Sequence, residues 1–177
     1  MIPLVTGIVI MLLDQWTKYE IRCAFTLGES VTVIPAFMNL TYLRNTGAAW
    51  GMLGGQNSLL TVLSLVMLVV MVLFRRSFLN DTLSHRLALG LMIGGIVGNL
   101  ADRLRLGWVT DFLDFHVAGY HWPSFNIADA AICVGVGIYI LTSWRDVQHH
   151  TTENAGATMA DTEPHSRNRK CDHGLHG

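Results

Sequence analysis

Between Gly94 and Asp129 the chain places four aspartates (Asp102, Asp111, Asp114, Asp129) and two asparagines (Asn99, Asn126) between strongly apolar segments. An ionised side chain inside a bilayer costs roughly 2.5 to 3.5 kcal/mol on insertion scales, so such a cluster is either glue between helices or a functional site. The spacing favours function. On a helix, Gly95, Gly98, Asn99 and Asp102 share one face, a smooth strip that ends in an amide and a carboxylate. Small residues of this kind let another helix approach closely. Asn126 and Asp129 repeat the i, i+3 relation at the start of the next apolar run, and Val109 to Phe112 puts Asp111 in a short non-helical connection.

Two carboxyls in one site cannot both ionise easily, so one keeps its proton while the other takes a proton from water. The other hydrolytic chemistries are poorly supplied. The lysines are Lys18 and Lys170, and Lys18 has Asp14 one helical turn away. A serine or cysteine nucleophile would depend on His116 or His121 beside Ser124. The H-E-x-x-H spacing is absent, so His116 and His121 read as interfacial polar residues, and neither a metal nor another cofactor is expected. Paired carboxylates are left, with Asp102, Asp111, Asp114 and Asp129 competing. Spacing alone does not separate Asp102 from Asp111.

The elements that must position these groups are those of a membrane protein. In 177 residues, 51% are hydrophobic, 14% are charged and the mean hydropathy is +0.38, far too apolar for an ordinary soluble domain. A net charge of −1 without a basic stripe excludes a nucleic-acid partner. Cys23, Cys133 and Cys171 show no C-x-x-C spacing, and Cys133 reads as a small core residue. Met1 to Leu13, extended by Asp14 to Ile21, makes a first span that lacks the basic start and cleavage site of a signal peptide. Phe25 to Leu53 favours strands, with Val31, Val33 and Phe37 to Leu43, and predicts a small extracytoplasmic sheet followed by a turn at Arg44 to Gly47 and an interfacial Trp50. Leu59 to Phe74, Leu87 to Leu104 and Ile127 to Trp144 are further spans, the last with Gly135 and Gly137 available for packing. Arg75, Arg76 and Arg86 put the connector between the second and third spans in the cytoplasm, so four spans leave both termini inside. Trp108 to Phe125 is aromatic-rich and predicts a short interfacial helix or lid broken by Pro123. Asp146 to Gly177 is polar without an apolar period and is expected to be a disordered cytoplasmic tail.

Five blocks resemble the lipoprotein signal peptidases, the bacterial signal peptidase II family of membrane aspartic proteases: Asp14 to Lys18 (DQWTK), Asn45 to Trp50 (NTGAAW), Gly94 to Arg103 (GGIVGNLADR), Val109 to Phe112 (VTDF) and Phe125 to Asp129 (FNIAD). The resemblance implies an α-helical polytopic membrane protein with four transmembrane helices and a small extracytoplasmic β-sheet; residues 1–145 are read as the peptidase domain, and the tail, 146–177, is no part of the family pattern. It implies that Asp111 and Asp129 are the catalytic pair, and that Asp14, Lys18, Asn45, Gly47, Asn99, Asp102, Arg103 and Asn126 bind substrate or support the site. Asp114 has no counterpart in it. The implied partners are prolipoproteins carrying a diacylglyceryl cysteine, cut at the outer face of the cytoplasmic membrane, together with membrane lipids. Two other classes compete. A proton relay or transporter also uses buried acids, but no internal duplication supports it; a non-catalytic lipid-binding protein leaves the acids unexplained.

Overall fold

The computed structural model describes residues 1–47, 52–73, 75 and 82–161. Its elements run α1 (Ile2–Ala24), β1 (Ser30–Ile34), β2 (Met38–Asn45), α2 (Asn57–Leu73), α3 (Leu83–Leu106), β3 (Val109–Val117), β4 (Tyr120–His121) and α4 (Ile127–Asp161). Trp50 and Arg76, assigned to the interface and the cytoplasmic connector above, lie outside the described residues.

The helices are inverted relative to those of a water-soluble protein. On α1, Leu4, Ile8, Leu12 and Trp16 are exposed, while Gly7, Asp14, Lys18 and Ile21 are buried. The largest fully buried side chains are polar: Lys18, His85, Asn126, Thr110, Asp14 and Asp102. An apolar exterior around a polar interior is the arrangement that hydrocarbon solvent favours. By length and composition, α3 and the Ile127–Asp146 part of α4 can cross a membrane, and α2 is an apolar helix of 17 residues.

Glycine sets the close approach of these helices. A Cβ on Gly94 would lie 2.6 Å from the Gly7 carbonyl oxygen of α1. On Gly95 it would collide with the Ala128 carbonyl of α4, and on Gly98 it would lie 2.6 Å from Asp14 Oδ2. The small-residue strip of α3 therefore serves two neighbours, α1 and α4, and only its last glycine abuts a carboxylate. Gly135 packs against Ala88 and Met92, whereas Gly137, expected to pack, faces open space.

The four strands form one antiparallel sheet in the order β1-β2-β3-β4. Gly107, in the left-handed region at φ +84°, ends α3 and turns the chain straight into β3. β2 carries one extra residue between Leu40 and Leu43 against the Leu113 to Asp111 stretch of β3, so Leu43 faces Asp111 and Asn45 faces Val109. Ile21, Tyr42 and Phe112 form the apolar cluster that fastens the sheet to the end of α1.

Two expectations need correction. The segment from Trp108 to Phe125 is no helix: β3 and β4 extend the sheet, and Asp111 lies on a ladder-bonded strand rather than in a loose connection. Val109, Phe112, Phe115 and Val117 alternate with polar residues imperfectly, but β-branched and aromatic side chains fit a pleated surface, and pairing with β2 satisfies the backbone. Beyond the compact unit Met1–Thr142, helical backbone continues to Asp161 through residues expected to be disordered.

Candidate active site

Each sequence-predicted site residue is delivered by a specific element. Asn126 and Asp129 begin α4 as a reciprocal cap: the Asp129 N–H donates to Asn126 Oδ1 at 3.0 Å, and the Asn126 N–H donates to Asp129 Oδ2 at 3.3 Å. This is the capping-box pattern with Asn and Asp in the two positions, and it fixes the Asp129 carboxylate at the helix start. Its other oxygen, Oδ1, accepts from Asn99 Nδ2 of α3 at 2.7 Å. Asp111, from β3, is held by two amides, Asn45 Nδ2 at 2.9 Å and Asn126 Nδ2 at 2.7 Å. Asn126 thus touches both acids.

Behind these acids lies a buried charge network. Lys18 pairs with Asp14 at 2.8 Å and with Asp102 at 3.5 Å, and donates to Asn99 Oδ1 at 2.8 Å. Asp14 in turn accepts from the Ala128 N–H at 2.9 Å, another first-turn donor of α4. Asp102 accepts from the Thr110 N–H at 3.0 Å and from Gln15 at 3.2 Å, and Arg22 lies 3.7 Å away. A buried carboxylate with this many donors is compensated, and the network ties α1, α3, β3 and α4 together.

Asn45, Gly47, Asn99, Arg103, Asp111 and Asp129 line one cleft of about 520 Å³, closed on another side by Trp122, Pro123 and Phe125. Asp14, Lys18, Asp102 and Asn126 sit behind its wall. Arg103 donates to the Gly47 carbonyl at 3.4 Å, so it reaches across the cleft rather than to its sequence neighbour. Gly47 packs so closely that a Cβ would meet the Met52 carbonyl at 2.7 Å. Burial, and then the charge on Asp129, push the Asp111 carboxyl up to about 7 against the hydrogen bonds of Asn45 and Asn126 and the charge of Lys18. Two acids share a cleft, one of them holding its proton near neutrality.

A family model for signal peptidase (SPase) II matches residues 6–145. The chain belongs to the signal peptidase II family. Lipoprotein signal peptidase of Syntrophotalea carbinolica is 42% identical over 152 residues, covering 84% of this chain and 94% of that one. The protein of the same name from Staphylococcus haemolyticus is 39% identical over 145 residues, with 82% and 92% covered. A bacterial membrane enzyme solved by the in meso method at 2.3 Å resolution matches with a TM-score of 0.74 at 32% identity, over 95% of this chain and 94% of its own. A second, at 1.9 Å resolution, gives 0.71 at 36% identity over 81% and 93%. Membership in the signal peptidase II family makes this chain a membrane-embedded aspartic peptidase.

Some contributors escaped the sequence reading. Gln15 and Arg22 flank Lys18 at helical spacing, a polar stripe on an otherwise apolar helix that marks them in retrospect. Thr110 holds Asp102 through its backbone N–H and accepts from Arg22 with its hydroxyl at 3.0 Å, a link that exists only once β3 lies against α1. Cys133, read as a core residue, is exposed on the cleft lining.

Proposed function

We propose that this protein removes the signal peptide from diacylglyceryl-modified prolipoproteins at the outer face of the cytoplasmic membrane, with Asp111 and Asp129 acting as a dyad on water. The observation that carries the dyad is that these two acids line one cleft, each oriented by amide side chains. Asp129 lies in the first turn of α4, where the helix dipole favours negative charge, so it is the base. Asp111 is the acid that retains its proton. Asp129 takes a proton from water as the water oxygen bonds to the scissile carbonyl carbon, and Asp111 gives its proton to the carbonyl oxygen. Collapse of the tetrahedral intermediate breaks the C–N bond: Asp129 gives its proton to the leaving amine, and Asp111 takes one hydroxyl proton back from the gem-diol as the product carboxyl forms, which restores the singly protonated pair.

The remaining residues divide by position. Asn99, Asn126 and Asn45 hold the two carboxylates at a fixed orientation; Asp14, Lys18 and Asp102 hold the elements that carry them. Arg103 and Gly47 form the rim against which an extended substrate backbone lies. The proposed topology has four spanning helices with both termini inside; the exposed apolar faces of α1 and α2, and Arg75 and Arg86 between α2 and α3, support it. Substrate then enters from the lipid between helices.

The deciding experiment incubates the purified full chain, in lipid, with a diacylglyceryl-modified prolipoprotein and with its unmodified precursor. Release of the signal peptide from the modified form alone is the expected result. Cleavage of both forms alike would remove the lipid-dependent part of the reading, and cleavage of neither would remove the whole. A reporter fused at residue 80 should register as cytoplasmic, and an extracytoplasmic signal there overturns the topology.

A further inference from the structure

The β3–β4 hairpin carries a second constellation that the cleft does not use. Asp114, His116 and His121 each offer one ligand atom, and these atoms all lie within 4.8 Å of one another. His116 and His121 are register partners across the hairpin, their rings stacked at 4.9 Å between centroids and 17° between planes. His121 Nδ1 lies 3.0 Å from Asp114 Oδ1, and Asn39 Nδ2 of β2 holds the other oxygen at 3.1 Å. His116 Nδ1 is buried without a hydrogen-bond partner. A buried, unpaired imidazole nitrogen beside a second imidazole and an oriented carboxylate is a costly arrangement unless something electrophilic satisfies it.

We propose that Asp114, His116 and His121 form a divalent-cation site, suited to Zn2+, that clips β3 to β4. Two imidazoles and a carboxylate are a borderline-soft ligand set that suits Zn2+ with water in the fourth position. Tetrahedral bonds of about 2.0–2.1 Å bring ligand atoms to roughly 3.3 Å apart. The Asp114–His121 pair is already near that separation, and the His116 ligand atom lies within 4.8 Å of both. Asn39 supplies the outer hydrogen bond that orients a ligating carboxylate.

The hairpin has reason to need such a clip. Its ladder is two residue pairs long, around a turn in which Ala118 (φ +52°) and Gly119 (φ +82°) both adopt the left-handed conformation. A ladder of that length adds little by itself, and beyond it the returning chain is tied to β3 by the Trp122 N–H to the Phe115 carbonyl at 2.8 Å and by the Leu113–Phe125 bridge. Trp122 and Pro123, which follow His121 directly, form a wall of the cleft. Strand alternation places Asp114 and His116 on the face of β3 opposite Asp111, so the cation takes no part in hydrolysis and acts by holding that wall. Helix-period zinc patterns such as H-E-x-x-H do not detect it, because here the ligands meet through an i, i+2 step and a cross-strand pair.

The test is Zn2+ titration by calorimetry of the full chain in detergent, with Co2+ absorption as the spectroscopic readout. His149, His150, His165, His173 and His176 near the C-terminus are further imidazoles, so the comparison is between variants that all retain them. His121→Ala, His116→Ala and Asp114→Asn are each expected to lose one equivalent of Zn2+ and the tetrahedral Co2+ bands, with the remaining equivalents unchanged. His121 is exposed, so its alanine variant is not at risk of misfolding. Equal stoichiometry and spectra in wild type and His121→Ala overturn the site. Loss in the histidine variants but not in Asp114→Asn overturns the three-ligand assignment.

Discussion

Asn126 donates its side-chain nitrogen to Asp111 at 2.7 Å while being wholly buried. Its side-chain oxygen simultaneously accepts from the Asp129 N–H, so one amide caps a helix and couples two acids from elements separated in sequence. Asn126→Ala should lower thermal stability by about 0.5–2 kcal/mol, the usual value of an N-cap, and reduce turnover strongly. Asn126→Asp keeps the cap acceptor but replaces the donor to Asp111 with a like charge. Melting temperature and cleavage rate should therefore separate: the Asp variant melts nearer to wild type than the Ala variant does, yet cleaves little. Wild-type turnover in Asn126→Asp would show that the donor to Asp111 is dispensable.

A second prediction concerns pH. The Asp111 carboxyl is raised from an ordinary 3.8 to about 7, so between about pH 4 and 7 the folded chain holds a proton that the unfolded chain has released. That proton stabilises the fold at low pH, and its contribution is lost as pH rises through the window. Asp111→Asn should flatten this part of the stability profile. For activity, the singly protonated dyad empties above about pH 7, which sets the alkaline limb. The Asn45 hydrogen bond lowers the Asp111 value, so Asn45→Ala should move that limb to higher pH. A limb displaced to lower pH in this variant contradicts the assignment.

Packing gives a third. Alanine at Gly95 would collide with the Ala128 carbonyl and lie 2.7 Å from Ile132 Cγ1, forcing α4 away from α3. Overpacking of this kind costs about 1–3 kcal/mol, and it displaces Asp129, one residue beyond Ala128. Gly137→Ala, on α4 with nothing within 4 Å, should be neutral or stabilising by about 0.4–1 kcal/mol. Thermal melts and cleavage rates of the two variants check the contrast, and equal behaviour would mean that α4 relaxes freely.

The helical residues of the cleft and of the charge network behind it were legible because motif and period agreed: Asn99 and Asp102 on α3, Asn126 and Asp129 on α4, and the Asp14–Lys18 pair on α1 all meet as helical spacing requires. The β3 strand was not. Val109 to Val117 is buried on both faces at its start and half-exposed at its end, so it shows no clean alternation, and the nearby Pro123 suggested a broken helix. Its identity depends on β2, some seventy residues earlier, offering a free edge. The Asp114–His116–His121 cluster was illegible for the same reason, since it exists only once the hairpin does. Helix α4 was misjudged at its far end because polarity alone does not prevent helical backbone from continuing.

The last prediction separates the dyad from its support. Asp111→Asn and Asp129→Asn keep the volume and part of the hydrogen bonding but can neither accept nor return a proton, so each should abolish cleavage while leaving lipoprotein binding largely intact. Asp102 is in a different position: it is almost wholly buried behind the cleft, engaged by the Thr110 N–H, Gln15, Lys18 and Arg22. Asp102→Asn leaves Lys18 with Asp14 at 2.8 Å, so the loss is partial, of order 1–3 kcal/mol for disturbed buried partners. That variant should melt earlier, cleave more slowly and keep the wild-type pH profile, because the two titrating groups of the dyad are untouched. The measurement is cleavage rate against pH for the three variants at matched membrane levels, with substrate capture measured in parallel. Normal cleavage by Asp111→Asn, together with a folded, binding but inert Asp102→Asn, would make Asp102 the partner of Asp129 and move the acid from β3 to α3.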